Sequence, residues 1–186
     1  MRKALRAGIR LFQYRDKQGT RRTIHAAALR LAATAREAGA LFLVNDHADI
    51  ALAADAHGVH LGQDDLTIEA ARKLLGPERI IGISTHSLEQ ARDAESAGAD
   101  YIGFGPVFRT GTKDAGPVRG PEMLRQVRNE VSIPVIAIGG INGENAGAVL
   151  AAGADGIAVI SAVLDAPDVE AAAKGLVELA APPLVR

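Results

Sequence analysis

Short apolar runs separated by longer alanine-rich stretches dominate the hydrophobic pattern of the chain. The runs cover residues 11–15, 41–45, 58–61, 80–84, 101–105, 134–139 and 156–161. Each run is nearly continuous, which is typical of parallel strands that are covered on both faces. Between the runs, apolar residues recur at helical spacing, and several of these stretches end at a glycine. The alternation predicts one α/β domain over residues 1–186, built on a parallel sheet.

The number of strands leaves two architectures open. Seven strands are enough for an open doubly wound sheet, whereas a (β/α)8 TIM barrel needs eight. The chain begins on what resembles the end of a helix, RKALRAG, so the strand missing from a barrel would be the first one. Polar residues follow nearly every run, as expected around a barrel mouth, whereas an open sheet gathers its ligand groups at one switch point. We therefore predict a TIM barrel that lacks its N-terminal first strand in this chain, with a flavodoxin-like open sheet as the alternative.

Composition and charge exclude several classes of protein. The formal net charge is -1, which gives no bulk attraction to nucleic acid or to an anionic membrane. The chain has no cysteine, so disulfides, thiolate catalysis and cysteine-bound zinc are excluded. No apolar run reaches the ~18 residues that a membrane span needs. We expect a cytoplasmic protein that acts on small molecules, and the open edges of an incomplete barrel would favour pairing with another chain, such as a homo-oligomer.

The first strand ends in an alternating polar segment, FQYRDK. Gln13, Arg15 and Lys17 are two residues apart, so their side chains leave an extended chain on one side, opposite Phe12 and Tyr14. At a barrel mouth these three groups would form an anion clamp, in which Arg15 grips a phosphate through two hydrogen bonds. A solvated strand end with ordinary surface charges is the alternative.

Two acidic pairs follow the next two strands. Asn45 and Asp46 end the second strand, and Asp64 and Asp65 follow the third. Carboxylate oxygens from neighbouring loops suit Mg²⁺, which often combines one or two carboxylates with phosphate oxygens of a substrate. Each pair could instead cap the helix that follows it. Together with the anion clamp, the acidic pairs predict a site for a diphosphate bridged by a metal ion.

A loop of small and basic residues follows the fifth strand. It contains Thr110, Gly111, Thr112 and Lys113. Hydroxyls, a pliable backbone and a point charge would allow this loop to fold over a phosphate and exclude water. A mobile surface loop is the alternative.

Glycines and a serine mark the ends of the last two strands. Gly139 and Gly140 precede a helix, and Ser161 ends the final run. In barrels the last two strand-to-helix loops often bind phosphate through backbone N–H groups, so these residues predict a second phosphate site. The alternative for the Gly139–Gly140 pair is an ordinary tight turn, in which Gly-Gly pairs are also common.

Two histidines lie near the strand ends. His60 is inside the third strand and is predicted to be a hydrogen-bonded core residue. His86 follows Ser84 at the end of the fourth strand, where a general base is one interpretation and a structural role is the favoured one.

Five segments resemble the thiamine-phosphate synthase family in sequence and order: FQYRDK, VNDHADIALAADAHGVHLGQDD, GISTHSLEQA, ADYIGFGPVFRTGTK and AIGGI. The similarity extends from about Leu11 to Ser161. The resemblance implies a (β/α)8 barrel and a transferase that joins hydroxymethylpyrimidine diphosphate to a thiazole phosphate, giving thiamine phosphate and diphosphate. It also implies a dissociative reaction, in which the thiazole nitrogen traps a pyrimidine-stabilised cation and no protein nucleophile is needed.

The same resemblance implies roles for individual residues. The catalytic residues would be Arg15, Lys17 and Lys113. The contacts to the pyrimidine diphosphate would be Gln13, Arg15, Lys17, Asn45, Ser84 and Lys113. The Mg²⁺ ligands would be Asp46 and Asp65, with Asp64 a less favoured neighbour. The contacts to the thiazole phosphate would be Thr110, Thr112, Gly140, Ile160 and Ser161.

Two departures from the family pattern leave other functions open. The first strand is absent before the opening helix, and Arg109 stands where the family usually has proline. One alternative is a related thiazole tautomerase, an isomerase in which a histidine at position 86 would transfer protons. Another is a non-catalytic truncated protein that binds thiazole phosphate. A tautomerase has no use for a diphosphate apparatus, so the basic and acidic residues named above favour the synthase.

Overall fold

The computed structural model describes residues 1–111 and 116–180. Its centre is one sheet of seven parallel strands, which stand in the sheet in the order in which they occur in the chain. The strands are β1 (Leu11–Tyr14), β2 (Leu41–Asn45), β3 (Gly58–Leu61), β4 (Ile80–Thr85), β5 (Tyr101–Phe104), β6 (Val135–Ile138) and β7 (Gly156–Ala158). All seven predicted strands are present, which confirms the parallel α/β class.

Helices follow the strands in the predicted alternation. In the described part of the chain they are α1 (Arg2–Arg6), α2 (Arg21–Glu37), α3 (Ala48–Ala53), α4 (Ile68–Leu75), α5 (Leu88–Ser96), α6 (Gly120–Glu130), α7 (Ala146–Ala151), α8 (Ser161–Leu164) and α9 (Val169–Ala180). The last strand is shorter than predicted, because the chain leaves the sheet after Ala158 and Ser161 already begins α8. None of the helices within 1–111 and 116–180 has the length and apolar character of a membrane span.

The strand order decides between the two sheet architectures considered from the sequence. A flavodoxin-like sheet reverses its order at a switch point. The described strands contain no reversal, so that alternative is wrong. In addition, α1 packs against α9, where Arg6 Nη2 lies 2.7 Å from Glu170 Oε2. Since α1 precedes the first strand and α9 follows the last, the sheet is curled.

The apolar core lies between the sheet and the helices. Alternate strand residues such as Phe42, Ile81 and Phe104 face the helices and are at most 1% exposed. The helices meet this layer with small residues, including the fully buried Ala28 and Ala35, so the helix axes lie close to the sheet. The other strand residues point to the concave face, and that face carries the candidate site.

The two AGAD segments, at 97–100 and 152–155, perform the same structural task. Asp100 Oδ2 accepts hydrogen bonds from Ile81 N at 2.7 Å and from Arg72 Nη2 at 2.6 Å. Asp155 Oδ2 accepts a hydrogen bond from Val135 N at 2.8 Å. Each aspartate precedes a strand and satisfies the first N–H groups of the strand beside it.

Replacing Asp100 by alanine is expected to lower the free energy of unfolding by about 1–3 kcal/mol, because the buried N–H of Ile81 loses its acceptor. For a protein of this length, each kcal/mol corresponds to a shift in Tm of roughly 2–4 °C in a calorimetric scan. Asp93→Ala, on the exposed side of α5, is the control and should change stability by no more than about 0.5 kcal/mol. Equal losses in the two variants would contradict this role for Asp100.

Candidate active site

The sequence-predicted residues lie along the carboxyl edge of the sheet. Gln13 is in β1 and Arg15 and Lys17 follow it, Asn45 and Asp46 lie at the end of β2, Asp64 and Asp65 are between β3 and α4, Ser84 is in β4, Thr110 follows β5, Gly140 follows β6, and Ile160 and Ser161 follow β7. Because all strands are parallel, their carboxyl ends share one edge. Thr112 and Lys113 lie outside the described residues.

The segment after β1 has the predicted alternation. Gln13 is exposed, whereas Phe12 and Tyr14 are half-buried. Gln13 Nε2 donates a hydrogen bond to Asn45 Oδ1 at 3.1 Å, which joins the first two strand ends. Lys17 reaches the same place, since its Nζ lies 2.6 Å from Asp46 Oδ2. Lys17 and Asn45 therefore contact Asp46 directly, and Gln13 is joined to them through Asn45.

A short turn fixes the chain between these side chains. Asp16 Oδ1 accepts hydrogen bonds from the backbone N–H groups of Gln18 at 2.9 Å and Gly19 at 2.8 Å. These two bonds hold the pKa of Asp16 below its usual value, and the bond from Gln18 has the larger effect. The turn keeps Lys17 directed toward Asp46.

Asp46 is the centre of the site. Its backbone has φ +65°, a left-handed conformation that aspartate and asparagine tolerate better than most residues. Its N–H donates to the carbonyl of His60 on β3 at 2.8 Å, which anchors the backbone. Its carboxylate accepts hydrogen bonds from Asn45 Nδ2 and Lys17 and lies against the carboxyl group of Asp65.

The two facing carboxyl groups have pKa values displaced in opposite directions. Burial by itself would raise the pKa of Asp46, but hydrogen bonds from Lys17 and Asp65 and the charge of Arg15 outweigh burial and leave this pKa lowered. For Asp65, burial and the neighbouring Asp46 raise the pKa, while the Gly62 N–H at 2.7 Å opposes the shift. The lower pKa of the pair therefore belongs to Asp46, and Asp65 holds its proton more tightly.

The acidic pairs do not cap the helices that follow them. The N-cap of α4 is Thr67, whose Oγ1 accepts a hydrogen bond from Ala70 N at 3.2 Å. The N-cap of α3 is His47, which makes no side-chain capping bond. The capping alternative is therefore wrong for both pairs. Asp65, rather than its neighbour Asp64, is the carboxyl group that contacts Asp46.

The carboxyl pair has the chemistry of a divalent cation site. Two carboxylates close enough to share a proton repel each other when both are ionised, and a cation between them removes that repulsion. Within the described residues there is no group of three or more His, Cys, Asp and Glu side chains that could hold a metal. The two carboxylates of Asp46 and Asp65 are a donor set that fits Mg²⁺, which completes its shell with water and phosphate oxygens.

Asp65→Asn is expected to raise Tm in Mg²⁺-free buffer by about 1–2 °C, since it removes a like-charge contact that solvent partly screens. Mg²⁺ should raise the Tm of the original protein, because a ligand that binds the folded state stabilises it, and should leave the variant unchanged. Differential scanning fluorimetry over a Mg²⁺ series measures both effects. Asp64→Asn is the control, and an equal response to Mg²⁺ in Asp65→Asn would contradict the metal assignment.

The thiazole-phosphate residues are only partly brought together. Gly140 has φ +68°, and a Cβ there would lie 2.4 Å from the carbonyl oxygen of Arg109, so β6 ends directly against the loop that carries Thr110. A cavity of about 300 Å³ opens beside this loop, lined by Pro106, Phe108, Arg109, Thr110, Gly116, Pro117 and Val118. Ile160, on the loop after β7, and Ser161, the first residue of α8, are exposed, and no hydrogen bond in the described part of the chain joins them to Gly140.

The two histidines near the site have structural partners. His86 Nδ1 donates a hydrogen bond to the carbonyl of Gly105 at 2.6 Å, and the backbone N–H of His86 donates to Gln90 Oε1 at 2.7 Å. His60 is buried and hydrogen-bonded, which confirms the prediction for it. Burial lowers the pKa of His60 to about 4, so the ring is neutral at neutral pH. Its hydrogen-bond partners, Ser84 and Tyr101, were not linked to it from the sequence.

The fold and the site together define a parallel α/β protein that presents cations and a carboxylate pair at one edge of its sheet. Residues 1–163 match the family model described as thiamine monophosphate synthase, and the chain belongs to this family. The resemblance seen in the sequence is thereby confirmed.

Relatives of known name extend over nearly the whole chain. The thiamine-phosphate synthase of Methanospirillum hungatei is 52% identical over 177 residues, covering 95% of this chain and 86% of the relative. The thiamine-phosphate synthase of Moorella thermoacetica is 51% identical over 180 residues, covering 96% of this chain and 86% of the relative. Among solved structures, the thiamine phosphate pyrophosphorylase of Pyrococcus furiosus superposes with a TM-score of 0.91 at 48% identity, covering 96% of this chain and 86% of that one.

Proposed function

We propose that this protein is a thiamine-phosphate synthase, a transferase of thiamine biosynthesis that joins hydroxymethylpyrimidine diphosphate to a thiazole phosphate. Its family and relatives that carry this name at 52% and 51% identity support the proposal. The observation that carries it is the meeting of Lys17 and Asp46 beside Asp65, with the charge of Arg15 acting on the same carboxylate. A diphosphate leaving group needs cations of this kind, and an isomerase does not.

The reaction that fits this site releases diphosphate from the methylene carbon of the pyrimidine before the thiazole nitrogen bonds to that carbon. Arg15 and Lys17 bind the leaving diphosphate and offset the charge that develops on it, and Ser84 donates a hydrogen bond to it. Mg²⁺ held by Asp46 and Asp65 would supply additional positive charge to the same group. The chain contributes orientation and charge, so no protein nucleophile is required.

The second substrate is placed by the neighbouring strand ends. Thr110, Gly140, Ile160 and Ser161 are the candidate contacts to its phosphate, and the close approach of Gly140 to the Arg109 carbonyl supports the first two as neighbours. Thr112 and Lys113 remain candidates from the sequence. We further propose that the seven strands belong to the wall of a (β/α)8 barrel, which their order and curl support. A cytoplasmic location and pairing with another chain stay predictions.

The test is a coupled assay with both substrates and Mg²⁺, followed by chromatographic detection of thiamine phosphate and of released diphosphate. We expect both products in equal amounts, and we expect their formation to stop when a chelator removes Mg²⁺. Isomerisation of the thiazole without coupling would overturn the proposal in favour of the tautomerase. Binding of thiazole phosphate without turnover would overturn it in favour of the non-catalytic protein.

A further inference from the structure

Three side chains on the concave face form a continuous hydrogen-bonded chain. His60 Nδ1 lies 2.7 Å from the Tyr101 hydroxyl, and His60 Nε2 lies 2.9 Å from Ser84 Oγ. The three residues come from three consecutive strands, β3, β4 and β5. Tyr101 must therefore reach across β4 to meet His60. At its far end the chain stops at Ser84, one of the proposed diphosphate contacts.

Two glycines make room for this chain. Gly82 pairs with His60 on one side and with Tyr101 on the other, and a Cβ at Gly82 would lie 2.1 Å from the Tyr101 ring. A Cβ at Gly103 would lie 3.1 Å from His60 Cε1. Any larger residue at Gly82 would prevent the tyrosine from crossing the strand. The backbone is thus built for the contact between these two side chains.

The direction of the hydrogen bonds follows from the number of protons. A neutral imidazole has one N–H and one acceptor nitrogen. Among the described residues, His60 Nδ1 is the acceptor within reach of the Tyr101 hydroxyl, which is mostly buried and must donate its proton. Nδ1 then accepts, and Nε2 carries the proton and donates it to Ser84 Oγ. The hydroxyl proton of Ser84 is left to point away from His60.

We infer that His60 is a positioning residue, which together with Tyr101 directs the Ser84 hydroxyl proton toward the bound diphosphate. The inference rests on the proposed function, in that Ser84 is taken as a diphosphate contact. The backbone carbonyl of His60 also accepts a hydrogen bond from the Asp46 N–H at 2.8 Å. One residue therefore orients both the Ser84 hydroxyl and the backbone of Asp46. With the opposite tautomer, Ser84 would donate to His60 and present a lone pair to an anion.

The tautomer can be measured without any substrate. In protein labelled with ¹⁵N-histidine, the His60 nitrogens are assigned by their loss in His60→Gln, and long-range ¹H–¹⁵N correlation distinguishes the two tautomers. We expect a protonated Nε2 and an unprotonated Nδ1. A protonated Nδ1 would overturn the inference whatever the activity of the protein.

The link to the anion is tested by a double-mutant cycle with Tyr101→Phe and Ser84→Ala, using calorimetric binding of inorganic diphosphate in the presence of Mg²⁺. Tyr101→Phe keeps the ring over Gly82 and removes the hydroxyl. We expect it to weaken binding roughly 5–10-fold when Ser84 is present, and less than about twofold in the Ser84→Ala background. Additive losses would overturn the inference, since Tyr101 would then act independently of Ser84.

Kinetics separate this inference from the proposed function. In the coupled assay, Tyr101→Phe should raise KM for the pyrimidine diphosphate and leave KM for the thiazole phosphate unchanged, whereas a general structural defect would affect both. If the effects of Tyr101→Phe and Ser84→Ala on diphosphate binding are coupled but the protein makes no thiamine phosphate, the proposed function is wrong and the positioning role of His60 and Tyr101 is supported. If the protein makes thiamine phosphate but the two effects are additive, the proposed function is supported and the positioning role is wrong.

Discussion

Replacing Asp46 by asparagine is expected to lower kcat by on the order of 10²–10³-fold, the range for losing one preorganised contact to a developing charge. The variant keeps the shape of the side chain and removes the negative charge that we propose holds the cation. Folding should be preserved, because asparagine adopts the φ of +65° at this position as readily as aspartate. Steady-state formation of thiamine phosphate over a range of Mg²⁺ concentrations measures the effect.

The matched control is Asp64→Asn, which removes the same charge from an exposed residue next to Asp65. This variant should keep kcat within about twofold of the original protein, as expected for a surface change that leaves the Asp46–Asp65 pair intact. Equal losses in the two variants would mean that net charge, and not the position of Asp46, governs turnover. Full activity in Asp46→Asn would remove this residue from the metal site.

Arg15→Lys is expected to lower kcat/KM for the pyrimidine diphosphate by roughly 10–100-fold, although the charge is retained. A guanidinium group binds two phosphate oxygens through a planar fork, whereas an ammonium group acts as a point charge. Hydrogen bonds to charged groups contribute about 1.5–3 kcal/mol, which corresponds to this loss in affinity. Initial rates with the thiazole phosphate held at saturation measure it.

Arg22→Lys provides the comparison, because Arg22 is an exposed arginine in the first turn of α2. It should leave the kinetics with either substrate unchanged. KM for the thiazole phosphate should also be unaffected in Arg15→Lys, since Arg15 acts on Asp46 and the diphosphate pole. A lysine at position 15 that works as well as arginine would exclude the bidentate clamp.

Most of the fold could be predicted because its strands are buried on both faces. Continuous apolar runs such as 41–45 and 58–61 have the same bounds in the structure. The prediction for the final run, 156–161, was too long, because Val159 and Ile160 are apolar residues outside the sheet. Ile160 is 59% exposed. An apolar pattern does not by itself show where the backbone leaves the extended conformation, so the end of β7 could not be read from it.

The candidate site was predictable only as far as parallel strands determine it. Gln13 and Asn45 end adjacent strands, so their meeting follows from the topology. The choice of Thr67 as the helix cap, which frees Asp65 to face Asp46, depends on loop geometry that spacing does not fix. The reach of Tyr101 across Gly82 depends on the register of three strands. The sequence signal that could have indicated it was a glycine at the centre of a buried strand.

The central claim is that Asp46, Asp65 and Arg15 converge on one metal-bound diphosphate. The most direct measurement is a crystal structure of the full chain with inorganic diphosphate and Mn²⁺, which replaces Mg²⁺ and can be located by its anomalous signal. We expect one Mn²⁺ peak between the carboxyl groups of Asp46 and Asp65, with diphosphate oxygens bound both to that ion and to the Arg15 guanidinium. A Mn²⁺ peak away from both aspartates, or diphosphate bound at another edge of the sheet, would contradict the claim.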